Sequence, residues 1–237
     1  MPNIRFGLLG LVCSACSADS VEDSALVDSD LVGSQTPLQF PFPVLERDRM
    51  TTPVMGVDHD PVEQDDGIAS ANCLAYDGRG FPWCYDGHDG VDFDLLGGFE
   101  AMDNGSATVI AGAPGEVVKV VDGNYDRCHL DLSTFEPNCD GHEMKANKVV
   151  VEHEGGYRTL YLHFMKDSIV VAEGDLVETG DPLGLVGSSG YSTGPHVHFE
   201  LEDPEGNTFD PYAGEYSQPE SWWCDQRGPE ELPGPCE

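Results

Sequence analysis

Positive charge is what this 237-residue chain most lacks: 11 Lys+Arg stand against 44 Asp+Glu, for a formal charge of −33. Neutralising the phosphates of nucleic acid or of an anionic membrane needs clustered Lys and Arg, so sequence-independent binding to either is excluded. Long apolar runs are missing too. No stretch reaches the roughly 18 apolar residues of a membrane-spanning helix, and the only sustained run is Phe6–Val12. No segment carries a sustained apolar helical repeat, so long helices are not expected. Internal repeats are absent. The acidic stretch Asp58–Gly67 misplaces the Gly and closing Glu of an EF-hand and reads as a solvated loop. The six cysteines beyond residue 18 form no CxxC pair, which argues against a structural zinc site.

What is present is turn chemistry and short β-rich segments. With 28 Gly and 17 Pro, the chain is expected to turn often and build short elements. Ala107–Ala111, Glu116–Val121, Lys148–His153, Arg158–His163 and Val197–Leu201 are β-branched or aromatic, alternate in part, and are bounded by turn residues. They predict a mainly β, antiparallel domain with long loops. The longest loop is Asp122–Ala146, which holds Cys128 and Cys139.

At the start, one positive charge, the apolar run and the small residues Ser14–Ala18 follow the order of a secretory signal over residues 1–18. The small-small-Cys ending is similar to a bacterial lipobox, which makes Cys16 a lipidation candidate, although Cys13 stands where Leu is usual. Cleavage after Ala18 is the competing outcome. Residues 19–70, rich in Ser, Asp and Pro, are expected to be an acidic tether or pro-segment, followed by a domain at 71–217 and a tail at 218–237. Six cysteines lie beyond the signal, and six allow 15 pairings. Spacings of 11, 11 and 12 suggest local bridges Cys73–Cys84, Cys128–Cys139 and Cys224–Cys236 in an oxidising compartment.

Three signals carry chemistry. His88-Asp89-Gly90-Val91-Asp92 could aim an imidazole and a carboxylate at one cation if the chain turns at Gly90. In His196-Val197-His198 the two imidazoles share one strand face while Val197 and Phe199 point to the core. Imidazoles so paired are costly to bury without a metal, a proton or a polar partner. Third, His163 ends the strand Arg158–His163. Each alone has a bland reading, as a chance spacing, a satisfied core pair or a surface histidine.

Together they resemble the lysostaphin/LytM-type peptidoglycan hydrolases, zinc metallo-endopeptidases of family M23. The resemblance runs from about Gly87 to Pro211 through HDGVDF, VIAGAPGEVVKV, VVVEHEGGYRTLYLHF, VAEGDLVETGDPLGLVGSSG and STGPHVHFEL. It implies a groove holding one zinc ion bound by His88, Asp92 and His198, with a fourth position for water. It also implies two catalytic histidines that are not ligands, His163 and His196, with His196 preferred as the base and His163 as its partner. The implied partner is a peptidoglycan peptide, and the implied location is the cell envelope or the exterior, as a monomer touching membrane only through a lipid anchor. The alternative is a non-catalytic relative that binds wall or activates another hydrolase. His59, His129, His142 and His153 match no ligand position.

Overall fold

The computed structural model describes residues 38–52, 55–62, 72–228 and 230–236. The expected signal at 1–18 with Cys16, the first part of the expected tether and residues 63–71, which include the end of the acidic stretch, lie outside the described residues.

One antiparallel sheet carries the domain. Its strands are β1 (Val91–Asp94), β3 (Gly115–Val121), β6 (Lys148–Glu152), β7 (Arg158–Leu162), β8 (Leu176–Val177), β10 (His196–Glu202) and β11 (Thr208–Phe209). They lie in the order β1-β10-β7-β6-β3-β8, with β11 pairing β10. Smaller pairs are β2 (Thr108–Ile110) with β9 (Pro182–Leu185), and the hairpin β4 (His129–Asp131) with β5 (Glu136–Asn138). The α-helix Gly98–Asp103 has six residues. The mainly β, antiparallel class expected from the sequence is the class observed, and no described helix is long and apolar enough to cross a membrane.

The alternation of apolar residues decides which sheet face is core. Val91 and Phe93, Val197, Phe199 and Leu201, Tyr161, and Val149 and Val151 are all buried on one side. Register stacks them: Val91 pairs with Phe199, and Phe199 with Tyr161. The Tyr161 hydroxyl accepts the Gly112 N–H at 2.8 Å, so its polar end is not left bare in the core. On β1 and β10 the opposite face carries Asp92, Asp94, His196, His198 and Glu200.

The packing departs from the expected domain bounds. Phe40, Phe42, Val44, Met50 and Val57, assigned above to the tether or pro-segment, are buried in the main core. Phe42 meets Phe93 edge-on at 4.8 Å, and the Phe40 backbone exchanges hydrogen bonds with Trp222 and Cys224. The expected tail is core too: Trp223 is buried and packs against Phe199 at 5.2 Å. The physical reason is area. Aromatic side chains from both flanks cover the apolar face of β1 and β10. Cysteines pair as Cys73–Cys84, Cys128–Cys139 and Cys224–Cys236.

Phe40→Ala is therefore expected to cost about 3–5 kcal/mol, the usual loss for a fully buried Phe. Urea unfolding measures it; a loss below about 1 kcal/mol would return residues 38–44 to the tether.

Candidate metal centre

Strand pairing builds the centre. Asp92 on β1 stands directly across from His198 on β10, and Asp94 across from His196. The two-residue period of each strand puts all four on the non-core face. His88 joins them from the turn before β1. Gly90 in that turn serves close approach, since a Cβ there would run into the His198 imidazole.

His163 arrives differently. Continued regularly beyond β7, the strand would send residue 163 to the face of Tyr161, into the core. Instead His163 adopts a left-handed φ of 69°, uncommon for a residue with a side chain. Its ring lies 4.5 Å from that of His196 and 5.8 Å from that of His198, centroid to centroid. The five candidate residues thus meet at one place.

Hydrogen bonds fix the tautomers. A carbonyl oxygen can only accept, so each ring nitrogen facing one must carry the proton. His88 Nδ1 donates to the Gly56 carbonyl at 2.7 Å, His163 Nδ1 to Ser189 at 2.6 Å, and His196 Nδ1 to Gly194 at 2.7 Å. Each of these rings, when neutral, presents a bare Nε2. His198 is turned the other way: Nδ1 faces the centre, while Nε2 lies 3.5 Å from Asp89 Oδ1 and 3.9 Å from Glu200 Oε2.

The three donor atoms form a small triangle. His88 Nε2 to His198 Nδ1 is 3.2 Å, His198 Nδ1 to Asp92 Oδ1 is 2.9 Å, and His88 Nε2 to Asp92 Oδ2 is 3.3 Å. Ligands of a tetrahedral ion with bonds of about 2.0–2.1 Å lie about 3.3–3.4 Å apart. The bare lone pair of His88 aimed at a second imidazole and a carboxylate fits a cation between them, so His88, Asp92 and His198 could hold a metal.

Electrostatics agree. Burial would raise the Asp92 pKa, but His88 and His196 and hydrogen bonds from His198 and His88 hold it well below the usual carboxylate value. Burial would lower His88, and the charge of Asp92 outweighs it to give a raised pKa. Burial, with His196 and His198 as would-be like charges, keeps His163 well below its ordinary value. Glu200 is pushed up to about 7 by burial and by Asp89.

A cavity of about 70 Å³ opens beside the triangle, lined among others by Met55, Tyr85, Asp92, Asp94, Thr193 and His196. The β4–β5 hairpin braces the loop on its far side: Leu130 N–H donates to the Thr193 carbonyl, and the Tyr191 hydroxyl to Glu136. The long Asp122–Ala146 excursion thus borders the site through that loop. Sequence reasoning missed the anchoring carbonyls of Gly56, Ser189 and Gly194, for which no side-chain signal exists. It missed Asp94, whose alternation with Asp92 was the available clue. The four unassigned histidines serve elsewhere. His59 pairs with buried Asp210 at 2.9 Å and His153 donates to the Pro114 carbonyl or bonds Thr159. His142 stacks on Tyr125, and half-buried His129 directs Nδ1 to the Arg127 carbonyl. Asp58 accepts the N–H groups of Asp60, Leu74 and Gly87.

The model of peptidase family M23 matches residues 86–211. Peptidoglycan DD-endopeptidase ShyB of Vibrio cholerae is 45% identical over 60 residues, which cover 25% of this chain and 14% of that protein. Glycyl-glycine endopeptidase ALE-1 of Staphylococcus capitis is 45% identical over 51 residues, covering 22% of this chain and 14% of ALE-1. The catalytic domain of lysostaphin from Staphylococcus simulans is 26% identical with a TM-score of 0.36, covering 57% of this chain and 82% of that one. The matched stretch spans about a seventh of the length of those two curated relatives.

The depressed pKa of His163 predicts a pH effect on the metal-free protein. Above the unfolded value near 6.5, His163 is neutral in both states and contributes nothing. Below it the unfolded chain binds a proton that the folded protein refuses, so stability falls with pH. His163→Asn, which tolerates the left-handed backbone, should lose less stability between about pH 7 and pH 5 than the native chain. Parallel melting curves across that interval would contradict this.

Proposed function

The chain belongs to peptidase family M23, whose model spans more than half of it, and on that footing we propose that it is a zinc-dependent endopeptidase cutting peptide bonds in peptidoglycan stem peptides or cross-bridges. The observation that carries this reading is the triangle of His88 Nε2, His198 Nδ1 and Asp92 with two further imidazoles beside it. Two nitrogens and one carboxylate make a three-ligand set of the catalytic type. Bound there, zinc supplies a Lewis acid for the scissile carbonyl and a water of lowered pKa.

The remaining work falls to the chain. His196, its Nδ1–H tied to Gly194, offers Nε2 to take the proton of the attacking water, and afterwards returns it to the departing amine. His163 presents Nε2 from the neighbouring position. Burial holds its pKa well below the ordinary value, which disfavours it as the proton acceptor and leaves that role to His196. Neither Nε2 can donate to an oxyanion until it has gained a proton. Donation therefore comes after the first transfer.

Relatives named for DD- and glycyl-glycine endopeptidase activity support wall peptides as the substrate class without choosing the bond. Three disulfides support an oxidising location, with export by the 1–18 segment and anchoring at Cys16 as the routes. The non-catalytic alternative would be supported by a missing site residue, and all five are present.

Two variants test the reading. His198→Ala should lose both the bound zinc, one per native chain, and the release of peptides from wall sacculi, as should treatment with a chelator. His196→Ala should keep zinc while slowing release at least ~10²-fold, the ordinary worth of a general base. Full activity without zinc would end the assignment, and a near-normal rate for His196→Ala would move the base to His163.

A further inference from the structure

Asp94 follows Asp92 by two residues on β1, shares its face and is exposed. It is where two cavities meet. The inner one, about 70 Å³, holds Asp92 and His196. The outer one, about 340 Å³, runs away from the centre past Thr51, Leu96, Gly97 and Pro195. Asp94 and Thr193 line both. Among the described residues no Lys or Arg lines either cavity, and Asp94 is the sole charged side chain of the outer one. Asp92 sits against His88, His196 and His198, so its charge is already engaged. Among the described residues no Lys or Arg forms an ion pair with Asp94. The groove thus holds, across from His196, a negative charge that no Lys or Arg pairs among the described residues.

We propose that Asp94 determines specificity by binding a protonated primary amine carried by the substrate peptide close to the scissile bond. The inference rests on the peptidase reading. Residues two apart on a strand are separated by about 7 Å, and an extended peptide advances about 3.4 Å per residue. A substrate whose scissile carbonyl lies at His196 and the triangle therefore brings the first or second residue beyond it over Asp94. An ammonium there gains a charge-assisted hydrogen bond, in a groove where no built-in cation competes. The amine can be the side chain of a diamino acid or the α-amine of a chain end.

The test is calorimetric titration of the full-length, zinc-loaded protein with an uncross-linked tetrapeptide containing one diamino acid. Three forms are compared: both amines free, side-chain amine acetylated, and α-amine acetylated. In the native protein, acetylating one of the two should weaken binding about tenfold, and which one identifies the source. Asp94→Asn and Asp94→Ala, at an exposed position, should bind all three forms alike. Glu205→Gln, on a distant turn of this acidic surface, should keep the tenfold discrimination. Equal or undetectable binding of all forms by the native protein would overturn the proposal, as would discrimination that survives loss of the Asp94 carboxylate. Amine preference with no sacculus hydrolysis would defeat the peptidase reading alone; hydrolysis with no amine preference would defeat this one alone.

Discussion

The antiparallel pairing of β1 with β10 is the constraint on which the rest of the site depends. It sets Asp92 opposite His198 and Asp94 opposite His196. A slip of β1 by one residue would turn Asp92 and Asp94 into the core and bring Val91 and Phe93 out to water. Those apolar residues are fully buried, so the register that satisfies the hydrophobic core is also the one that assembles the polar cluster. The residues brought from the flanks, Phe40, Phe42 and Trp223, cover this same core face and reinforce that register.

Burying four imidazoles and a carboxylate together is unfavourable unless each polar atom has a partner. The chain meets that demand with backbone carbonyls. Gly56, Ser189 and Gly194 each hold one Nδ1–H, which leaves three Nε2 atoms facing inward, that of His88 within 3.2 Å of His198 Nδ1 and 3.3 Å of Asp92 Oδ2. These carbonyls come from two loops, Gly56 from the segment before β1 and Ser189 and Gly194 from the β9–β10 connection, so orientation of the rings depends on segments far apart in sequence. Gly56 in particular lies outside the stretch matched by the family model, on a segment that pairs with β1 through Met55 and Asp92. That segment helps build the centre.

The surplus of acid residues acts at two scales. Over the chain as a whole, it gives a formal charge of −33. Inside the groove it narrows to few groups, and their environments set them apart. Asp92 is held ionised by imidazoles, Glu200 is raised by burial, and Asp94 faces the groove with His196 across from it and, among the described residues, no Lys or Arg to pair it. Disulfide Cys128–Cys139 lies in the excursion that braces the Thr193 loop, so a covalent staple stands behind one wall of the groove.

Much of this was legible in the residues alone. Strands alternate at period two, and that pattern located β3, β6, β7 and β10 and put His196 and His198 on one face before any coordinates. Cysteine spacing pointed to the three local bridges, and the ordered motifs from His88 to His198 pointed to the ligand triad. Tertiary structure alone decided what depends on partners distant in sequence. The tether expected up to residue 70 gave way because Phe40, Phe42 and Val44 find apolar surface only once the sheet exists. His163 joins the site through a left-handed backbone turn that a strand-end Tyr-Leu-His cannot announce. The tautomers rest on carbonyls, which every residue carries, so no side-chain pattern could single them out. Local periodicity is written residue by residue, whereas the aim of a ring and the neighbours of a charge are set by chain segments that meet only in the folded state.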